Sequence, residues 1–210
     1  MRTAVTTTTS ATRFSIATLV AELRAARAAA RDESDMLARV RELARRAAEH
    51  RLDWLRPGMC VPDADQGFGV SVLHEEADHQ LAVFVASWLP DRGTPPHDHG
   101  TWAVVAGLRG AERNSFWKRL DDGRRSGHAQ LVKAGERTFG PGDVLAMPAG
   151  AIHSVWNDTD RIAVSLHIYG KHVNHTQRSR FDPASNSEAP YRLVTVEATS
   201  AAATARPDRW

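Results

Sequence analysis

Pro95-Pro96-His97-Asp98-His99-Gly100, answered downstream by Pro148-Ala149-Gly150-Ala151-Ile152-His153, decides how the rest of the chain is read. Residues two apart on an extended strand share a face, so His97 and His99 present two imidazoles side by side while Asp98 turns away. A third histidine, brought up from a separate strand, would complete a three-nitrogen metal site.

Around this pair of stretches the composition is that of a globular protein. The 210 residues, 42% of them hydrophobic, suffice for one substantial core with ragged ends. No apolar run reaches the length of a membrane span. The threonine-rich start (Thr6 to Thr9) lacks the continuous apolar segment of a secretory signal. Cys60 is the only cysteine, which excludes an internal disulfide and a cysteine-built zinc site. The cytoplasm is the expected location. The net charge is +2, with 27 Lys+Arg against 25 Asp+Glu, so neither nucleic acid nor a membrane surface is expected as a partner.

The chain divides by composition. Residues 1–14 read as a disordered start, since a polar threonine tract buries too little to offset its ordering entropy. Residues 15–56 read as a helical layer. Ile16, Leu19, Val20, Leu23 and Ala26 recur at helical spacing, and Met36, Leu37, Val40, Leu43 and Ala47 repeat the pattern after a break at Asp32 to Asp35. Arg39, Arg41, Arg45, Arg46 and Arg51, interleaved with Glu42 and Glu49, form a solvated face. Residues 57–197 carry short β-rich runs separated by glycine, proline and aspartate: Gly69 to His74, Gln80 to Trp88, Trp102 to Leu108, Ala111 to Trp117, His128 to Lys133, Asp143 to Met147, Ile152 to Trp156, Arg161 to Tyr169 and Tyr191 to Glu197. That grammar predicts a mainly β, antiparallel sandwich or barrel with N-terminal helices. Residues 198–210 read as a disordered tail.

The spacing of the second stretch is specific: Gly142, five residues, Pro148, one, Gly150, two, His153, three, Asn157. It resembles the second motif of the cupin superfamily, and His97-x-His99 followed by Gly110 resembles the first. The resemblance implies a cupin barrel, a double-stranded β-helix or jelly roll with a metal in its mouth. The departure from the common pattern is informative. Where most cupins place a glutamate four or five residues after the second histidine, this chain has Ala103 and Val104. The ligand set is then three neutral imidazoles without a carboxylate, a set that suits an anionic thiolate in the open positions and that zinc also accepts.

The run from Ile162 to Tyr169 alternates. Ile162, Val164, Leu166 and Ile168 form one face and Ala163, Ser165, His167 and Tyr169 the other. The polar face either meets water or forms a relay in which Ser165 orients His167, and His167 holds the Tyr169 hydroxyl towards the metal. Ser-x-His-x-Tyr after the third histidine, with His-Asp-His-Gly-Thr-Trp and no cupin glutamate, resembles the thiol dioxygenases: cysteine dioxygenase and the bacterial 3-mercaptopropionate dioxygenases. The resemblance spans about Gly69 to Pro183 and the closing strand. It implies one Fe(II) per chain on His97, His99 and His153, an outer triad of Ser165, His167 and Tyr169, and insertion of both oxygen atoms of O2 into a thiol sulfur to give a sulfinate.

For the substrate, the resemblance points to a small thiol carboxylate. Animal cysteine dioxygenases carry a crosslinking cysteine five residues after the second histidine, where this chain has Val104, and an arginine on an early strand, where it has Val70 and Ser71. The mercaptopropionate branch takes its carboxylate-binding arginine from the segment after the tyrosine, which offers Arg178, with Arg180 as second choice. Arginine's planar fork suits a carboxylate. Trp102 is expected to wall the pocket or to pack in the core. The favoured substrate is 3-mercaptopropionate, with L-cysteine second. A non-catalytic metal-binding sensor and a zinc or nickel isomerase or hydrolase are the readings from other classes. His50, His74, His79, His128, His172 and His175 are assigned no metal. Monomer and homo-oligomer are both left open.

Overall fold

The computed structural model describes residues 13–193. The expected disorder of residues 1–12 and 198–210 lies outside the described residues. Phe14 is described: its ring stacks on His50 at 5.6 Å and packs against the helical core.

Three helices come first: α1 (Ile16–Ala29), α2 (Glu33–Glu49) and the single turn α3 (Arg51–Trp54). Ser15 caps α1 by accepting from the Thr18 amide, and Asp32 caps α2 by accepting from Asp35. Ten strands follow: β1 (Phe68–Glu75), β2 (Ala82–Trp88), β3 (Ala103–Arg109), β4 (Glu112–Arg119), β5 (Leu131–Phe139), β6 (Val144–Met147), β7 (Ile152–Trp156), β8 (Ala163–Tyr169), β9 (Ser179–Asp182) and β10 (Ser187–Pro190).

The strands form two antiparallel sheets, one in the order β1-β2-β8-β3-β6, the other β5-β4-β7. Bridges from His97 to His153 on one side and to Arg180 on the other carry the second sheet through the histidine stretch to the β9–β10 hairpin. Two facing antiparallel sheets with strands crossing between them make a jelly-roll barrel, the expected mainly β architecture.

Pleating explains how the helices and the barrel share one sheet. Val83 and Val85 of β2, Val104, Ala106 and Leu108 of β3, and Val164, Leu166 and Ile168 of β8 face outward against Leu19, Leu23, Val40 and Ala47 of the helices. Ala82 and Phe84, Ala103 and Val105, and Tyr169 face the barrel interior. Every residue of β2 and β8 is therefore buried. Trp54 Nε1 donates to the Ala47 carbonyl at 2.8 Å and locks α3 to α2.

Three strand expectations need correction. The strand expected at His128 to Lys133 runs instead from Leu131 to Phe139, because seven of its nine residues are exposed and the polar run conceals the pairing with β4. Tyr191 to Leu193 form no strand, and 194–197 lie outside the described residues. The segment around Arg178, for which no strand is expected, leads into the β9–β10 hairpin, whose turn holds Asn186 at φ 52°.

Candidate metal centre

Backbone pairing brings the two histidine stretches together. His97 N donates to the His153 carbonyl at 2.8 Å, and His153 N returns the bond at 3.0 Å. Gly93 lets this pairing begin: a Cβ there would sit 1.9 Å from the Val155 carbonyl oxygen. Gly100, at φ +62°, turns the chain away directly after His99. Asn157, the last position of the second motif, is fully buried and donates to the carbonyls of Trp88 and Arg161, fixing the turn between β7 and β8 against β2.

The three imidazoles converge. Ring centroids stand 5.1 Å apart for His97 and His99, 4.6 Å for His97 and His153 and 5.0 Å for His99 and His153. Each ring is at most 5% exposed. Burial lowers the pKa of His97 to about 3 and holds His99 and His153 well below the usual imidazole value, so all three are neutral near pH 7. His97 Nδ1 donates to the Pro95 carbonyl at 3.0 Å, which leaves its Nε2 lone pair free. His153 Nδ1 donates to Asn114 Oδ1 at 2.9 Å, and its Nε2 stands 3.3 Å from His99 Nε2. That spacing fits two nitrogens sharing an ion at about 2.1 Å from each. Buried, neutral and oriented by groups behind them, the three histidines can hold a metal.

Beside them runs a buried polar chain. Tyr169 OH lies 2.9 Å from His167 Nδ1, His167 Nε2 lies 2.8 Å from Ser165 Oγ, and Ser165 Oγ lies 2.6 Å from Glu112 Oε1. Exposure of Ser165, His167 and Tyr169 is 1%, 6% and 6%, so this face of β8 does not meet water. The Tyr169 ring stands 5.1 Å from that of His99. Burial lowers His167 to about 4 and raises the Tyr169 hydroxyl, leaving the first neutral and the second protonated near pH 7.

The histidines, His167 and Tyr169 open on a cavity of about 50 Å³ between the sheets, walled by Phe84, Val155, Val173 and Leu193. At roughly 10–15 Å³ per water site it takes a ligand of a few heavy atoms. Arg178 also lines it, 7% exposed, with Nε donating to the Tyr191 carbonyl at 3.0 Å and its guanidinium 4.3 Å from the Tyr191 ring centroid. Arg178 forms no ion pair among the described residues, although Asp98 is near enough to act on its charge, and no carboxylate lines the cavity.

Two residues expected in the pocket are elsewhere. Trp102 shares its parity with Val104, Ala106 and Leu108, and it packs on the outer face of the sheet against the helical core. Arg180, two residues beyond Arg178, is exposed on β9. Three residues that the sequence reading passed over belong to the site: Asn114 behind His153, Glu112 behind Ser165, and Tyr191 over Arg178. The inward parity of Glu112 and Asn114 about the outward Arg113 on β4 is a signal for the first two.

A second group, Glu75 with His172 and His175, has donor atoms within 4.8 Å of one another. There His79 Nδ1 lies 2.6 Å from Glu75 Oε1, the rings of His79 and His175 stack at 3.5 Å, and His172 Nδ1 accepts from the Asn174 amide. With its Nδ1 accepting, His172 carries its proton on Nε2 and so turns a donor, not a lone pair, towards Glu75 Oε2 at 3.9 Å. Glu75 and His175 are exposed and His172 is buried.

No protein-family profile matches the chain. Among solved structures it is similar to oxalate oxidase in complex with glycolate (18% identity, TM-score 0.41, 52% of this chain and 53% of that one). It is also similar to the DMSP lyase DddQ from Ruegeria pomeroyi DSS-3 (21% identity, TM-score 0.40, 55% of this chain and 53% of that one) and to a cupin superfamily protein from Desulfitobacterium hafniense DCB-2 (14%, 0.39, 55% and 87%). The chain spans about half the length of the oxalate oxidase chains it matches. No helix among the described residues is long and apolar enough to cross a membrane.

Proposed function

We propose that the chain is an iron-dependent thiol dioxygenase that converts a small thiol carboxylate, with 3-mercaptopropionate favoured, and O2 into the corresponding sulfinate. The observation that carries this reading is the buried Tyr169–His167–Ser165 chain ending beside three neutral imidazoles with no carboxylate among them. Ferrous iron in that face supplies the redox chemistry that joins a thiolate sulfur to dioxygen.

The chain's own residues do the rest. His97, His99 and His153 present neutral nitrogens, so the ion keeps its full charge and favours a thiolate over a neutral ligand. Arg178 meets the substrate carboxylate in a pocket where burial strengthens the pairing. The Tyr169 hydroxyl, protonated at working pH, hydrogen-bonds in the cavity. Phe84, Val155 and Val173 keep water out. L-Cysteine ranks second because the described cavity lining offers no acidic group for its ammonium.

Metal analysis coupled to an oxygen electrode, with 3-mercaptopropionate, L-cysteine and cysteamine as substrates, tests the reading. Iron-dependent oxygen uptake with equimolar sulfinate is expected, fastest with 3-mercaptopropionate. Thiol binding without oxygen uptake would instead make the chain a sensor, and activity with zinc or nickel alone would make it an isomerase or hydrolase.

A further inference from the structure

Glu112 is 5% exposed and its carboxyl touches the far end of the relay from the cavity. A hydroxyl, an imidazole and a second hydroxyl in series pass a hydrogen-bond direction from one end to the other, since a neutral imidazole carries one proton and a hydroxyl donates one. We propose that Glu112 is the positioning residue that sets this direction: as a neutral acid it donates to Ser165 and frees the Tyr169 hydroxyl proton for the cavity, and as a carboxylate it reverses the chain.

Two consistent arrangements follow. With Glu112 protonated, its O–H donates to Ser165, Ser165 donates to His167 Nε2, and His167 Nδ1–H donates to the Tyr169 oxygen. The Tyr169 proton then has no partner within the relay and is available to a ligand. With Glu112 ionised, Ser165 donates to the carboxylate, His167 Nε2–H donates to Ser165, and Tyr169 donates back to His167 Nδ1. The cavity then meets only a phenol lone pair. The two states differ by one proton at Glu112 and by the His167 tautomer.

The surroundings place the exchange in the working range. Burial raises the Glu112 pKa to about 7, against the Ser165 hydroxyl, whose hydrogen bond favours the charged form. The other titratable groups nearby are His167 and Tyr169 on β8 and Arg109 at the end of β3, which lines the same small cavity as Glu112. The residues facing it from β5 and β6, Phe139 and Leu145, are apolar.

The direction of the relay belongs to the chain itself, and only its effect on thiol oxidation rests on the proposed function. The test is nitrogen NMR of the His167 ring in the full chain stripped of metal, from pH 5.5 to 9 in about half-unit steps. The expected result is an Nδ1–H tautomer at the acid end that changes to Nε2–H with a midpoint near Glu112's ionisation. Glu112→Gln, whose amide nitrogen can donate to Ser165 at every pH, holds Nδ1–H throughout. In the iron-loaded wild type, kcat then falls about tenfold per pH unit above that midpoint while KM holds, and the glutamine variant loses this limb. One tautomer across the range in the wild type overturns the proposal, as does the same change in Glu112→Gln. If the variant fails to fold, the wild-type titration alone decides. A tautomer change without thiol oxidation in either protein would overturn the dioxygenase reading and leave the relay standing.

Discussion

His153 and Asn114 form a buried pair in which the ring's Nδ1 donates to the amide oxygen at 2.9 Å, and this bond decides that Nε2 faces His99. A ligand held in one tautomer from behind gives up less freedom when it binds an ion. His153→Ala removes one of three donors, and the expected outcome is loss of stoichiometric metal on dialysis. Asn114→Ala keeps the donor and loses its orientation. Its metal affinity is expected to drop about 10- to 100-fold in a competition titration, with helical content unchanged.

Arg178 gives a substrate test with an internal control. Its side chain makes one hydrogen bond among the described residues, from Nε to the Tyr191 carbonyl. A charge-assisted bond is worth about 1.5–3 kcal/mol, so Arg178→Ala is expected to raise KM for 3-mercaptopropionate about 10- to 100-fold. Cysteamine has no carboxylate, and its KM is expected to stay within about twofold. Steady-state oxygen uptake with both thiols checks this, and an equal rise for both would move the carboxylate clamp elsewhere.

Arg178 also marks where the sequence stops being legible. The helices, the histidine spacings and the alternation of β8 are strong periodic signals, and each is found where residue type and spacing put it. The β9–β10 hairpin is not periodic: two strands of four residues, largely polar and closed by a proline, carry too few side chains for a pattern. The choice between Arg178 and Arg180 needs the hairpin, because it sends one arginine inward and the other to solvent. Trp102, open between pocket wall and core in the sequence, takes the core side for a related reason, since its side depends on the register of β3 against β8. Glu112 and Asn114 answer to residues about 40 to 50 positions away, a distance over which local pattern says nothing.

Two buried groups give stability opposite pH dependences. His167 has its pKa lowered to about 4 by burial, so it binds fewer protons folded than unfolded. Its contribution is complete above the unfolded value of about 6.5 and is lost as pH falls towards 4. Glu112 has its pKa raised to about 7, so the folded chain binds more protons, and stability declines as pH rises from about 4.5 to 7. The loss is at most about 3 kcal/mol. Glu112→Gln is therefore expected to melt about 5 °C or more above wild type at pH 8, with the two curves meeting near pH 4.5. Calorimetry across that range checks the sign.

Tyr169→Phe separates the hydroxyl from the ring. The ring fills space beside Phe84 and His99, at centroid distances of 5.6 and 5.1 Å, and phenylalanine keeps that packing. What is lost is one hydroxyl bonded to His167 Nδ1 at 2.9 Å. His167 can then turn its proton outward or towards Ser165 without leaving a buried charge, so the cost in stability is about 1 kcal/mol. Metal content is expected to match wild type, because the hydroxyl touches none of the three ligand nitrogens within hydrogen-bond range. If the phenol proton acts in the rate-limiting step, kcat with 3-mercaptopropionate falls about 100-fold while KM moves little. A variant with full iron and undiminished kcat would reduce Tyr169 to a wall of the cavity.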